Sequence, residues 1–163
     1  MLAQKNVIYA IPGWGFSSEM FDCLKVDGLA IKGLDYFDAP TASFEALVDH
    51  LAKGVSDSCS VVGWSFGGLL AIRLASLYPK KIKKLILISS QPRFLVDKGW
   101  AGIDIEYANK FVYRFSTNAK KKIKRFVNLV GQPDVSTNAV LNKHLLSDHI
   151  AKLSSQLSML FKN

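Results

Sequence analysis

Cys59-Ser60-Val61-Val62-Gly63-Trp64-Ser65-Phe66-Gly67-Gly68-Leu69-Leu70 joins an apolar run to a second apolar run through a serine with a glycine two residues away on either side. The first run reads as a buried strand. In the second, Leu69, Leu70, Ile72, Arg73, Leu74 and Leu77 read as a helix that stops near Tyr78-Pro79. A Gly-x-Ser-x-Gly between strand and helix is the pattern of a nucleophile elbow, a sharp turn that exposes a serine hydroxyl at the carboxyl end of a strand. Close approach explains the glycines: side chains at Gly63 and Gly67 would collide with the neighbouring strand and helix, and Gly68 adds further room. The bare pattern arises by chance, and an ordinary glycine turn is the competing reading. The strand before it and the helix after it favour the elbow. Ser65 then starts a helix whose dipole favours developing negative charge.

Further strands and helices alternate around this turn. Residues 6–11 read as a buried strand ending in Pro12-Gly13-Trp14-Gly15, and Ser17 or Ser18 caps a short helix reaching Lys25. Residues 30–36 form a second predicted strand. Ser43 and Glu45 open a helix with Phe44, Leu47, Val48 and Leu51 on one face. Residues 59–62 and 84–89 are the third and fourth strands, and this alternation implies parallel βαβ units buried on both faces. From Gln91 onward the periodic segments are helical, roughly residues 106–115, 119–130 and 138–160. Pro92 and residues 99–102 mark the connection, and Gly131-Gln132-Pro133 breaks the helices apart. The expected organisation is an α/β core over residues 1–95 and a helical lid over residues 96–163.

The composition, 49% hydrophobic and 21% charged over 163 residues, suits a folded domain and excludes disorder. Apolar runs are too short to cross a bilayer and the start lacks a secretion signal, so a cytoplasmic protein without membrane association is expected. Cys23 and Cys59 lack metal-ligand spacing and read as reduced residues within core elements. No metal or organic cofactor is implied. The net charge of +8 concentrates at Lys80, Lys81, Lys83 and Lys84 and at Lys120, Lys121, Lys122, Lys124 and Arg125. Solvated faces explain such clusters, and an acidic partner protein is the alternative. No aromatic interleaving or nucleic-acid module accompanies them.

Acyl transfer at a serine needs two backbone N–H groups aimed at the oxygen that becomes negative, one after the nucleophile and one from the loop after the first strand. Those are Phe66 and Trp14. The glycines flanking Trp14 free its backbone to turn inward, and its indole is expected to wall the acyl pocket. A loop rich in glycine for topology alone is the competing reading.

With Pro12-Gly13-Trp14-Gly15, Gly63-Trp64-Ser65-Phe66-Gly67-Gly68 and Ile88-Ser89-Ser90-Gln91-Pro92, the chain resembles the pimeloyl-[acyl-carrier protein] methyl ester esterases of biotin synthesis. The likeness extends through Lys98-Gly99-Trp100-Ala101-Gly102-Ile103 and Lys124-Arg125-Phe126-Val127-Asn128-Leu129, covering about residues 6 to 130. It implies an α/β-hydrolase-like parallel sheet flanked by helices, with a helical lid. It further implies Ser65 as nucleophile, the Trp14 and Phe66 amides as oxyanion donors, and residues 126–130, including Phe126, Leu129 and Val130, as acyl lining. Lys121 and Arg125, four apart and so on one helix face, are implied to meet an acidic acyl-carrier protein or the phosphate of its arm. Pro12 departs from the family, which usually has histidine there.

A serine esterase also needs a base and an orienting carboxylate, and this fold supplies them after later strands, in the order Ser, Asp, His. No such strands are read here, so the C-terminal strands of the usual fold are expected to be missing. Among the histidines, His50 reads as a helix-surface residue. His144 and His149, five apart on one predicted helix with Asp148 beside the second, are the base candidates, and Asp97 is the acid candidate. Two readings stay open: a Ser65 carboxylesterase, with a thioesterase or acyltransferase as its nearest competitor, and a catalytically incomplete chain that binds the carrier. The second leaves an exposed edge beside the fourth strand, which would favour a homodimer or aggregation.

Overall fold

The β-branched runs pair as four parallel strands, β1 (Asn6–Ile11), β2 (Leu29–Gly33), β3 (Cys59–Trp64) and β4 (Ile82–Ile88), in the order β2-β1-β3-β4. A computed structural model describes residues 6–39, 43–132 and 134–162; Pro133, expected to break the last helices apart, lies outside them. The register runs Ile11 against Gly63 and Trp64 against Ile88, which brings the carboxyl ends of the three strands after which the site is built to one level.

Helix α1 (Phe44–Gly54) starts where the Ser43 hydroxyl accepts the Ala46 N–H at 3.1 Å, and its apolar stripe of Phe44, Leu47, Val48 and Leu51 is buried. Helix α2 (Phe66–Leu77) follows Ser65 and buries Phe66, Leu69, Leu70 and Leu74. Four more helices follow β4: α3 (Ile105–Thr117), α4 (Ala119–Val130), α5 (Val135–Lys143) and α6 (Ile150–Leu160). Phe115, Ile123, Leu153 and Leu157 from these helices share one apolar cluster with Tyr9, Ile11 and Val61 of the sheet, so the helical layer is continuous with the core below it.

Several expectations are corrected. Residues 138–160 are not one helix: the Leu146 N–H donates to the Gly15 carbonyl at 2.8 Å, the Ser17 N–H donates to the His144 carbonyl at 2.9 Å, and Phe16 bridges Leu145. The chain between α5 and α6 leaves helical geometry to pair with the loop after β1. The expected helix up to Lys25 is a single 3₁₀ turn, Ser18–Phe21. Strand β2 stops at Gly33 because the Asp35 carboxylate turns to Ser18, accepting its N–H at 3.0 Å and its hydroxyl at 2.6 Å. Cys59 is buried as expected, whereas Cys23 is exposed. No described helix is long and apolar enough to cross a membrane.

Among the described residues β4 is an edge strand, and three successive side chains, Ile86, Leu87 and Ile88, are 47%, 40% and 47% exposed. A parallel strand is ordinarily covered on both faces, and an open apolar edge is a template for pairing. The 163-residue chain is therefore expected to self-associate as its concentration rises, and Leu87→Lys to reduce that association. Sedimentation velocity across a dilution series checks this; a parent chain that stays monomeric throughout would rule it out.

Candidate active site

At the end of β3 the backbone turns at Ser65 with φ 53° and ψ −119°, a left-handed conformation that an L-residue enters at a cost of about 1–3 kcal/mol. Hydrogen bonds on every side hold it there. The Ser65 N–H donates to the Ile88 carbonyl at 2.9 Å, while its carbonyl accepts from the N–H groups of Gly68 and Leu69 and from the Ser90 hydroxyl at 2.7 Å. Gly63 and Gly68 lie against each other, and Gly67 lies against the carbonyls of Ile11 and Pro12, so a Cβ at any of the three would overlap a neighbour. The fold is thus closed around a strained serine whose side chain takes no part in holding the turn.

The loop after β1 supplies the other half. Gly15 adopts φ +86°, and the Tyr36 hydroxyl donates to the Gly13 carbonyl at 2.9 Å. Burial first, and then the nearby Asp35 carboxylate, push the Tyr36 hydroxyl well above its ordinary pKa, so it remains a neutral donor. The Trp14 indole is buried, donates to the Leu153 carbonyl at 2.9 Å, and meets Phe115 and Phe126 edge to face at 5.2 and 5.4 Å. The backbone N–H groups of Trp14 and Phe66 have no acceptor among the described residues. That leaves them available as donors to an oxyanion.

Ser65 opens into a cavity of about 570 Å³ whose walls include Trp14, Phe16, Trp64, Phe126, Val130 and Leu141. Among the described residues none that lines it is ionisable, and apart from Ser65 the lining hydroxyls are those of Ser89 and Thr137. Of the residues singled out from sequence, Ser65, Trp14, Phe126 and Val130 meet here. Leu129 does not: it is 68% exposed and lines a second cavity, between α3 and α4. Arg125 lines that second cavity with Lys122, whereas Lys121 is exposed and lies outside it.

The base and acid candidates lie elsewhere. His149 precedes α6 and rests its ring on Phe37 at 4.9 Å, His144 caps the end of α5, and His50 sits on α1. Asp97 is exposed and pairs with Arg93 at 2.8 Å. None of these four lines the Ser65 cavity. Ser90, which in the sequence belongs only to the 88–92 stretch of the resemblance and has no role assigned there, is the residue that clamps the elbow; it lies two residues past the end of β4, the strand that pairs with β3. Among the described residues no group of three His, Cys, Asp or Glu side chains is placed to hold a metal.

Residues 8–132 match the model of the alpha/beta hydrolase fold family. Over 126 residues the chain is 28% identical to the "Pimeloyl-[acyl-carrier protein] methyl ester esterase" of Citrobacter koseri, covering 72% of this chain and 49% of that protein. The protein of the same name from Salmonella newport matches to the same extent. The chain thus spans about half the length of these curated relatives. Among solved structures it is similar to an esterase from Exiguobacterium antarcticum, with a TM-score of 0.78 at 16% identity over 95% of this chain and 65% of that one. It is also similar to a thermophilic esterase from Thermogutta terrifontis, with a TM-score of 0.71 at 16% identity over 96% of this chain and 64% of that one.

Proposed function

This chain belongs to the α/β-hydrolase family, and on that premise we propose that it acts as a carboxylesterase through Ser65, on the methyl ester of a pimeloyl chain carried by an acyl-carrier protein. The observation that carries the reading is the strained Ser65 turn opening into an uncharged cavity beside two unused backbone N–H groups. Ser65 Oγ adds to the ester carbonyl, and the Trp14 and Phe66 amides stabilise the oxyanion. The C–O bond to the alcohol then breaks and methanol leaves carrying the proton given up by the Ser65 hydroxyl; water adds to the acyl-serine, breaks its C–O bond, returns a proton to Ser65 Oγ and releases the acid as its carboxylate. Helices α3 to α6 serve as the lid, with Phe126 and Val130 against the acyl chain.

A mass measurement tests the acyl-serine. The chain is mixed with p-nitrophenyl hexanoate, quenched in acid and digested. One hexanoyl group on the peptide containing Ser65 is the expected result; p-nitrophenol release at the same rate from the Ser65→Ala chain would end the reading. A second reading is supported by the lining of the cavity, where no described residue is ionisable: these residues form the acylating half of an esterase and draw their base from outside it. It is favoured if hexanoyl-Ser65 accumulates without turnover.

The carrier assignment rests on the relatives' name and on the basic surface of α4 (Ala119–Val130). Lys121→Glu with Arg125→Glu is expected to lower kcat/KM for a carrier-linked methyl ester by about tenfold or more while changing that for a small free ester less than about twofold. Equal losses on both substrates would remove the carrier assignment.

A further inference from the structure

Two cavities meet at Phe126, and they differ in charge. The Ser65 cavity has no ionisable lining residue, whereas the second, also about 570 Å³, is bordered by Lys110 and Arg114 of α3 and by Lys122 and Arg125 of α4. Among the described residues no Asp or Glu lines it. Lys110 is within 3.3 Å of Glu106, and the other three cations have no ion-pair partner among the described residues. Between the cations the walls are apolar, from Phe111, Phe126 and Leu129, with the amides of Asn128 and Gln132 alongside. Lys122, Arg125 and Leu129 follow one another at intervals of three and four along α4, so a single stripe facing α3 carries both the charge and the apolar surface.

We propose that the α3–α4 cavity is a second binding site, selective for a carboxylate borne on an acyl chain. The two cavities divide the chemistry of ester hydrolysis between them. A neutral ester suits the uncharged Ser65 cavity, and the acid formed from it suits the neighbouring cationic one, where guanidinium and ammonium groups make charge-assisted hydrogen bonds to the carboxylate and the chain lies on Phe111 and Leu129. Phe126, a wall of both, places the two sites side by side. The proposal rests on the esterase reading for the origin of the acid, and on the cavity alone for its binding.

The test is calorimetric titration of octanoate, a free acid with no ester bond to break, into the chain. Saturable binding of one octanoate is expected, weakened at least about tenfold in Arg114→Glu/Lys122→Glu and in the milder Arg114→Gln/Lys122→Gln. Lys80→Glu/Lys84→Glu, the same charge change as the first pair but on β4 and the turn before it, is expected to shift affinity less than about threefold. Octanol, with the same chain and no charge, is expected to displace bound octanoate at least about tenfold more weakly than octanoate itself. The proposal is overturned by the absence of saturable binding, by octanol displacing bound octanoate as well as octanoate itself does, by undiminished binding when the cavity cations are reversed, or by equal loss in the β4 control. The outcome is separable from the esterase reading: octanoate binding with these features in a chain that forms no acyl-Ser65 leaves the site standing and removes the source assigned to its ligand.

Discussion

Ser65→Ala is expected to lower hydrolysis of p-nitrophenyl hexanoate by at least about a thousandfold while leaving the fold unchanged. The two halves of that expectation follow from separate observations. Every hydrogen bond that holds residue 65 in place runs through its backbone, to Ile88, Gly68, Leu69 and the Ser90 hydroxyl. Alanine keeps all four, and the conformational cost at φ 53° is about the same for either side chain. The hydroxyl, in contrast, faces a cavity that among the described residues holds no ionisable group and no nucleophile beyond the Ser89 and Thr137 hydroxyls, so its loss leaves the donors and the walls to act on the ester. Melting temperatures agreeing within a few degrees, together with the fall in rate, would assign the loss to chemistry and not to unfolding. A variant that hydrolyses the ester within about threefold of the parent would place the nucleophile elsewhere.

The elbow was legible because sequence spacing and steric need coincide. Gly63 and Gly67 bracket Ser65 where β1, β3 and α2 come closest, and only glycine fits the gaps. Strand type was legible for a similar reason, since β1 and β3 lie centrally in the sheet, bury Tyr9, Ala10, Ile11, Cys59 and Val61, and read as apolar runs. The break between α5 and α6 was not legible. No glycine or proline interrupts residues 144–149, and helical geometry yields there only because Gly15 and Ser17 offer backbone partners from a loop far away in sequence.

On α4 the helix was readable but its orientation was not. Lys121 and Arg125 share a face in any helix, yet the position of α3 makes Lys122, Arg125 and Leu129 the facing stripe and turns Phe126 and Val130 toward Ser65. Periodicity identifies which residues align, and a neighbouring element decides which alignment is used. The base presents a different difficulty: three histidines were counted, and the fold distributes them to α1 and to the ends of α5 and α6. Nothing in their local sequence encodes a distance to Ser65.

Gly67→Ala is expected to destabilise the chain by about 3 kcal/mol or more, although Gly→Ala within a helix ordinarily stabilises by about 0.5–1 kcal/mol. The sign reverses because of what the new Cβ would meet. Gly67 lies in the first turn of α2 against the carbonyl oxygens of Ile11 and Pro12, both backbone atoms, so no side chain can rotate away. Ile11 is held in register opposite Gly63, and β1 lies between β2 and β3, so moving it would break pairing on both sides. The helix would have to lift instead, opening the contacts of Phe66, Leu70 and Leu74 with the core. Ser76→Ala, at an exposed position on the same helix, is the control and should change stability by less than about 0.5 kcal/mol. Urea unfolding of the three chains measures the difference, and an unchanged midpoint for Gly67→Ala would mean that β1 and α2 are not packed as closely as described. Any displacement that relieves the overlap also shifts the Pro12 carbonyl, and with it the loop that carries the Trp14 amide. Folded Gly67→Ala protein recovered at low temperature is therefore expected to acylate Ser65 more slowly than the parent, because the two oxyanion donors are positioned by the same contact that excludes the methyl group.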